Sequence, residues 1–173
     1  MSKLIVGRVL AEWIDEGFGG SLSAIDEVIS RNMNGTAMGK PASVLVIEDS
    51  RMIRDSLVDI INADPGRRVV ATTDTEQEAI DIVNRGNVDI AIIDLQLRQG
   101  SGVGVLQRLG HETSVLKIVL TNFSSPQMRQ RCLDLGANYY FDKSREFELV
   151  ARVIDAWLKD RSDASWGGGA QID

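Results

Sequence analysis

The chain has one cysteine, one histidine and three prolines among its 173 residues, and aromatic side chains make up only 5% of it. Cys132 alone permits no internal disulfide, and with His111 as the sole imidazole no Cys/His arrangement of zinc spacing exists. The absence of a disulfide framework fits the reducing cytoplasm. Long apolar runs are missing too. The longest, VDIAIID and SVLVIED, fall far short of the ~20 residues that a membrane-spanning helix needs, and no signal-peptide pattern opens the chain. A soluble, cytoplasmic protein without membrane contact is expected. Positive charge is short as well. Nineteen Lys and Arg against 25 Asp and Glu give a net charge of −6 and a pI near 4.9. No global positive field is available to hold a phosphate backbone, so direct nucleic-acid binding is not expected.

What is present is ordered along the chain. Residues 1–40 carry Val6, Val9, Leu10, Trp13 and Ile14 at helical spacing, a break at Gly17, Gly19 and Gly20, and renewed periodicity at Leu22, Ile25, Val28 and Ile29. This predicts a helical hairpin, followed by a linker of turn formers over Asn32–Pro41. Nearly balanced charges disfavour a DNA-binding helix-turn-helix there. An apolar stripe with Trp13 suits packing on a protein surface, whether a partner's, a second copy's in a homodimer, or that of its own domain. The main domain is expected over 41–160, and the glycine-rich, aperiodic residues 161–173 are expected to form a disordered tail.

From residue 42 an apolar run and a segment of helical period alternate five times. Strands are predicted at Ser43–Ile47, Val69–Thr73, Val88–Ile93, Leu116–Thr121 and Asn138–Phe141, with helices near 51–62, 75–85, 102–110, 124–135 and 145–159. Runs such as VLVI and IAII are apolar at every position, as parallel strands covered by helices on both faces require. The expected fold class is α/β, a doubly wound open sheet, and such sheets place their chemistry at the carboxyl ends of the strands.

Glu48 and Asp49 follow the first predicted strand, Asp94 follows the third, Thr121 ends the fourth and Lys143 follows the fifth. Each has an ordinary reading in isolation: Asp49 as an N-cap or helix-dipole partner, Thr121 as a β-branched strand residue, Lys143 as a solvated charge. Chance does not readily place all of them at the ends of different strands. Carboxylates converging on one edge repel, and they persist by raising a pKa or by holding a cation. Oxygen donors without soft ligands predict Mg2+. A lysine ammonium and a threonine hydroxyl beside them supply partners for phosphate oxygens. The set describes a phosphoryl site.

On these residues, Val44–Trp157 closely resembles the receiver domain of two-component response regulators. VLVIEDS is similar to the family's first strand with its acidic pair, here Glu48 and Asp49, and IAIIDLQL to the strand carrying the phosphoacceptor, here Asp94. IVLTNF resembles the strand with the hydroxyl residue, here Thr121, and GANYYFDKS the strand with the lysine, here Lys143, with Tyr140 at the aromatic switch position. Gly102 falls at the family's glycine, eight residues beyond Asp94. The resemblance implies a flavodoxin-like five-stranded parallel sheet of order 2-1-3-4-5; many of the family carry an output domain after the receiver, but only about a dozen residues follow the last predicted helix, so a stand-alone receiver without a C-terminal output domain is expected. It implies a phosphoryl group passed to Asp94 from a sensor histidine kinase or a histidine phosphotransfer protein, with Mg2+ held by Glu48, Asp49, Asp94 and the Gln96 backbone carbonyl. Thr121 and Lys143 are then drawn to the phosphoryl group, Tyr140 follows Thr121, and the surface around residues 124–157 changes for a protein partner whose identity stays open.

The chain departs from the family pattern in four places. Ser144 replaces the proline after the lysine, which leaves the isomer of that peptide bond open. Arg98 replaces a frequent proline four residues past Asp94, so the loop Gln96–Ser101 is expected to be less rigid and to carry positive charge near the site. The acidic pair begins with Glu48 in place of an aspartate. Gln96 and Phe123 flank the path of water to an acyl phosphate, and the bulk of Phe123 predicts obstruction of that water. Two other readings compete. A phosphohydrolase of the haloacid dehalogenase type needs a second Asp two residues past the nucleophile, where Gln96 stands. A receiver-fold binding module that works without phosphorylation does not need the complete set of hallmark residues. No turnover of an external substrate is expected. His111 is expected on the surface and Cys132 as a small buried hydrophobe on a helix.

Overall fold

The computed structural model describes residues 40–166 except 112 and 124. The expected hairpin, most of the linker and the tail beyond Trp166 lie outside the described residues. Strands and helices alternate: β1 (Ala42–Ile47), α1 (Arg51–Asn62), β2 (Arg67–Thr73), α2 (Glu76–Asn84), β3 (Ile90–Ile93), α3 (Gly102–Leu109), β4 (Leu116–Thr121), α4 (Pro126–Asp134), β5 (Tyr139–Asp142) and α5 (Leu149–Trp166). All strand pairs are parallel and the order is β2-β1-β3-β4-β5, the expected doubly wound sheet.

Two cores explain why the central strands carry the runs VLVI and IAII. Leu45, Ile47, Ala91, Ile93 and Val119 enter one, with Ala79, Val105, Leu106 and Cys132 from α2, α3 and α4. Val44, Val46, Ile90, Ile92, Ile118 and Leu120 enter the other, with Leu57 and Ile61 of α1 and Val150 and Ile154 of α5. Successive side chains of a strand point to opposite faces, so a strand covered on both sides needs an apolar residue at every position. Each fully buried Val, Leu or Ile contributes about 1.5–3 kcal/mol. The edge strand β2 is different. Val44 pairs with Val69 and Leu45 with Ala71, which leaves Val70 in a bulge, 50% exposed. A bulge of this kind blunts a sheet edge against further pairing.

Register lines up the carboxyl ends. Ile47 lies opposite Ile93, Ile93 opposite Val119, and Val119 opposite Tyr140. The residues just beyond this row are the predicted site residues, so the sheet delivers them to one edge.

The largest departure from the predicted boundaries is α5, which starts at Leu149 and not near 145, and ends at Trp166 and not near 159. Asp142 Oδ1 accepts the Ser144 N–H at 2.8 Å and Glu146 Oε2 accepts the Asp142 N–H at 2.9 Å. These side-chain bonds close a turn where helix was expected. At the other end, residues 161–166 belong to the helix and not to a tail. Arg161 lies 4.6 Å from the Trp157 ring centroid and 3.2 Å from Asp89, which fastens the helix to the segment entering β3.

Lys117, the second residue of β4, is 2% exposed and donates to Gly110 O at 2.6 Å and Thr113 Oγ1 at 3.1 Å. Burial holds its ammonium below the ordinary lysine range. The unfolded chain keeps the higher pKa and so binds more protons between the two values, which makes stability rise with pH across that window. Urea midpoints measured from neutral to strongly alkaline pH are expected to rise for the native chain relative to Lys117→Met. Parallel curves would contradict a lysine whose charge is penalised by the fold.

Candidate functional site

One carboxylate oxygen each from Glu48, Asp49 and Asp94 lies within 4.8 Å of the others. Glu48 is 1% and Asp94 4% exposed, while Asp49 faces solvent. The strand ladders continue one residue past β1 and β3: the Glu48 N–H donates to Thr73 O and the Asp94 N–H to Ile47 O, both at 2.9 Å. Both buried carboxylates therefore leave a backbone that the sheet holds. Lys143, in the turn after β5, reaches across to them. Its Nζ stands 2.6 Å from Glu48 Oε2 and 2.7 Å from Asp94 Oδ2, on a side chain that is itself buried. One ammonium does not balance the cluster of carboxylates. Burial pushes the Glu48 carboxyl above its ordinary range, with Lys143 opposing the shift. Asp94 Oδ1 is buried and has no hydrogen-bond partner among the described residues. An acceptor left that way costs about 1–3 kcal/mol. Surplus negative charge, oxygen-only donors and one solvent-facing ligand fit a hard divalent cation that keeps part of its water shell.

Thr121 closes β4 with no exposure. Its Oγ1 accepts the Phe123 N–H at 3.4 Å, and no hydrogen bond joins it to Asp94 among the described residues. The Lys143 N–H donates to Thr121 O at 3.0 Å, so β4 and β5 stay paired up to the site. Tyr140 is 4% exposed and its hydroxyl donates to the Phe123 carbonyl. Burial pushes that phenol up to about 12, so it remains a donor across physiological pH. From α4, Arg129 donates to Tyr140 O at 2.8 Å and lies 5.3 Å from the Tyr140 ring centroid. A cavity of about 270 Å3 beside it is lined by Arg129, Tyr140, Asp142, Arg145 and Glu146. Phe123 is 44% exposed, and Gln96 also faces solvent just past Asp94. The Lys143–Ser144 peptide is trans. His111 is exposed with a ring nitrogen 2.9 Å from Asp134 O, and Cys132 is buried, which raises its thiol pKa.

Gly102 opens α3 directly against the Asp94 backbone. A Cβ at this position would overlap the Asp94 carbonyl oxygen and stand 2.9 Å from Ile93 Cγ2. Only a residue without a side chain lets the helix sit on the backbone that carries Asp94.

The loop Gln96–Ser101 corrects an expectation. Arg98 forks onto Asp74, with Nε at 2.8 Å from Oδ2 and Nη2 at 2.9 Å from Oδ1, and its own N–H donates to Asp74 O at 2.9 Å. The fork holds the Asp74 carboxyl below its ordinary range. The loop is tied down, not loosened, and its positive charge has a partner. Asp74 follows β2 directly, as Glu48 follows β1 and Asp94 follows β3, and the strand-end pattern that marked those two was not applied to it. The glycines flanking Ser101 were the available signal of a close approach.

Residues 44–154 match the family model of the response regulator receiver domain, and the chain belongs to that family. It is 28% identical over 120 residues to the nitrate/nitrite response regulator protein NarP of Escherichia coli, covering 69% of this chain and 56% of that protein. It is 33% identical over 126 residues to a protein-glutamate methylesterase/protein-glutamine glutaminase 2 of Pseudomonas aeruginosa, covering 69% of this chain and 36% of that protein. The chain thus spans little more than half the length of the one and about a third of the other. Among solved structures, the signal receiver domain of a putative Luxo repressor protein from Vibrio parahaemolyticus matches with a TM-score of 0.65 at 21% identity, over 75% of this chain and 99% of that one. A chain of the CheX-CheY-BeF3-Mg2+ complex from Borrelia burgdorferi matches with a TM-score of 0.62 at 22% identity, over 69% of this chain and 91% of that one. At such identities the likeness is one of fold. Receiver domains are signalling modules of two-component systems, typically without catalysis of their own, and imply a partner kinase. Among the described residues no helix is long and apolar enough to cross a membrane.

The close approach at Gly102 has a measurable consequence. Gly102→Ala is expected to lower the unfolding free energy by about 1–3 kcal/mol, the usual cost of overpacking. Urea denaturation checks this, and an unchanged midpoint would show that α3 does not press on the Asp94 backbone.

Proposed function

We propose that the protein is a phosphoacceptor receiver of a two-component system or phosphorelay, with Asp94 taking a phosphoryl group from the phosphohistidine of a sensor histidine kinase or histidine phosphotransfer protein. The observation that carries this reading is the asymmetry of the Asp94 carboxylate. Lys143 holds Oδ2 at 2.7 Å while Oδ1 is buried without a partner. Fixing one oxygen orients the other as a nucleophile. In-line attack forms the Oδ1–P bond as the P–N bond to the donor imidazole breaks; its electron pair stays on the ring nitrogen, which takes a proton. Charge then lies on the three equatorial oxygens. Lys143 is already at hand to meet it. Among the described residues the Thr121 hydroxyl accepts from the Phe123 N–H and donates to no group, which leaves its proton to meet a phosphoryl oxygen. Glu48, Asp49, Asp94 and the Gln96 carbonyl are the groups that would hold Mg2+, which when bound neutralises phosphoryl oxygens and aligns the donor. The fold relative solved with BeF3 and Mg2+ supports this choice of ion.

Phosphorylation adds about one to two negative charges at Asp94. Thr121 and Tyr140 are bonded to the two sides of one residue, Phe123, through its N–H and its carbonyl. A Thr121 that turns toward the phosphoryl group releases the first bond and frees the second to move, and Arg129 extends the link to α4. The surface around residues 124–157 is thereby biased between two arrangements that a protein partner, or a second copy of the chain, reads in the cytoplasm.

Incubation with phosphoramidate and Mg2+ is expected to add the mass of one phosphoryl group to the native chain. Asp94→Asn, and native protein in EDTA, are expected to gain none. A native chain that gains no mass overturns the proposal and favours a receiver-fold module that works without phosphorylation. Phe123 stands beside the path of water to the acyl phosphate and is large enough to obstruct it. Phosphorylated Phe123→Ala is expected to release phosphate several-fold faster than the native protein; equal rates refute the shielding.

A further inference from the structure

The loop after Asp94 is bound to the turn after β2 by more than one ion pair. Besides the Arg98 fork and the Arg98 N–H to Asp74 O, the Glu76 N–H donates to Gln99 O at 3.0 Å and the Ser101 N–H donates to Glu76 Oε2 at 2.9 Å. Ser101 is the N-cap of α3, and its hydroxyl accepts the Gly104 N–H at 3.0 Å. Around the Glu76 carboxylate the chain has no side chains to spare. A Cβ at Gly100, where φ is +80°, or at Gly104 would overlap Glu76. Ser101 is in turn bridged to Gln96 as a short antiparallel pair. An unbroken path of short contacts therefore leads from α2 to the residue two beyond Asp94. This is the stretch where Arg98 stands in place of a proline.

We infer that Asp74 and Glu76 are positioning residues of the phosphoacceptor site, acting through Arg98 and Ser101 to hold the Asp94–Gln96 backbone ready for its cation. The inference rests on the phosphoacceptor reading and adds to it the means by which this chain stiffens the loop without a proline. A bidentate Arg–carboxylate pair fixes orientation as well as distance, which a lysine ammonium does not reproduce. Exposed pairs add little to global stability, so breaking the clamp frees the loop and leaves the domain folded. Sheet bonds hold the backbone before Asp94. The clamp holds the backbone after it.

The experiment uses the full chain and the variants Asp74→Ala, Glu76→Ala, Arg98→Ala, Arg98→Lys and the Asp74→Ala/Arg98→Ala double. Amide hydrogen exchange without metal, the Mg2+ dissociation constant by calorimetry and phosphoramidate labelling at saturating Mg2+ are measured for each. Expected are faster exchange confined to residues 95–101 and a Mg2+ dissociation constant raised about two- to fivefold, the range for an exposed pair. Arg98→Lys fails to restore it, the double variant is no worse than either single one, and labelling at saturating Mg2+ stays near native. If the native chain binds Mg2+ and is labelled while the variants match it in exchange and affinity, the clamp is overturned and the phosphoacceptor reading stands. If the native chain neither binds Mg2+ nor gains mass, the phosphoacceptor reading falls and this inference falls with it.

Discussion

Lys143 donates to two buried carboxylates at once, and the arrangement of the carboxyl edge follows from that contact. Glu48 leaves β1, Asp94 leaves β3 and Lys143 follows β5, so the three meet only when the strands between them are in register. Buried ions are tolerated when paired, and removing one partner from such a pair typically costs about 3–5 kcal/mol. The pairing is incomplete here. Asp49 adds a third carboxylate, Glu48 is pushed toward its neutral form, and one Asp94 oxygen has nothing to bond. A site that is balanced enough to fold and unbalanced enough to attract a cation and a phosphoryl group has the electrostatics a receiver needs.

The backbone around Asp94 is held from every side. Ladder bonds from β1 fix its N–H, Gly102 brings α3 onto its carbonyl, and the Asp74–Arg98 fork with the Glu76–Ser101 bond ties down the loop beyond. Rigidity on this side contrasts with the other. Thr121, Phe123 and Tyr140 are joined by single hydrogen bonds that a change of charge at Asp94 can exchange. On the proposed reading, a fixed acceptor beside an exchangeable contact turns a local chemical event into a change of surface, because packed elements shift between discrete arrangements instead of deforming smoothly.

Much of this was legible in the order of residues. β1 and β3 announce themselves because both faces are buried and no polar residue interrupts VLVI or IAII. The α1 boundaries, Arg51–Asn62, fall where periodicity puts them. α5 does not: Asp142 and Glu146 fold onto backbone N–H groups before its start, and Arg161, beyond the expected end, reaches Asp89. Glu48, Asp49, Asp94, Thr121 and Lys143 could be singled out as strand-end residues. Which charge meets which could not. Lys143 and Asp94 lie 49 residues apart and Arg98 and Asp74 lie 24 apart, and no periodicity encodes a pairing across such distances.

The amino-acid order by itself determined the alternation of strand and helix, the two-sided burial of the sheet and the set of polar residues at its carboxyl edge. Those properties depend on local spacing, which repeats within a few residues. Tertiary structure alone decided that Arg98 stiffens its loop instead of loosening it, that Thr121 bonds to Phe123 and not to Asp94, and that Lys143 serves Glu48 as well as Asp94. Such choices are made when side chains from distant segments compete for the same few ångströms, and only the closed sheet brings the competitors together.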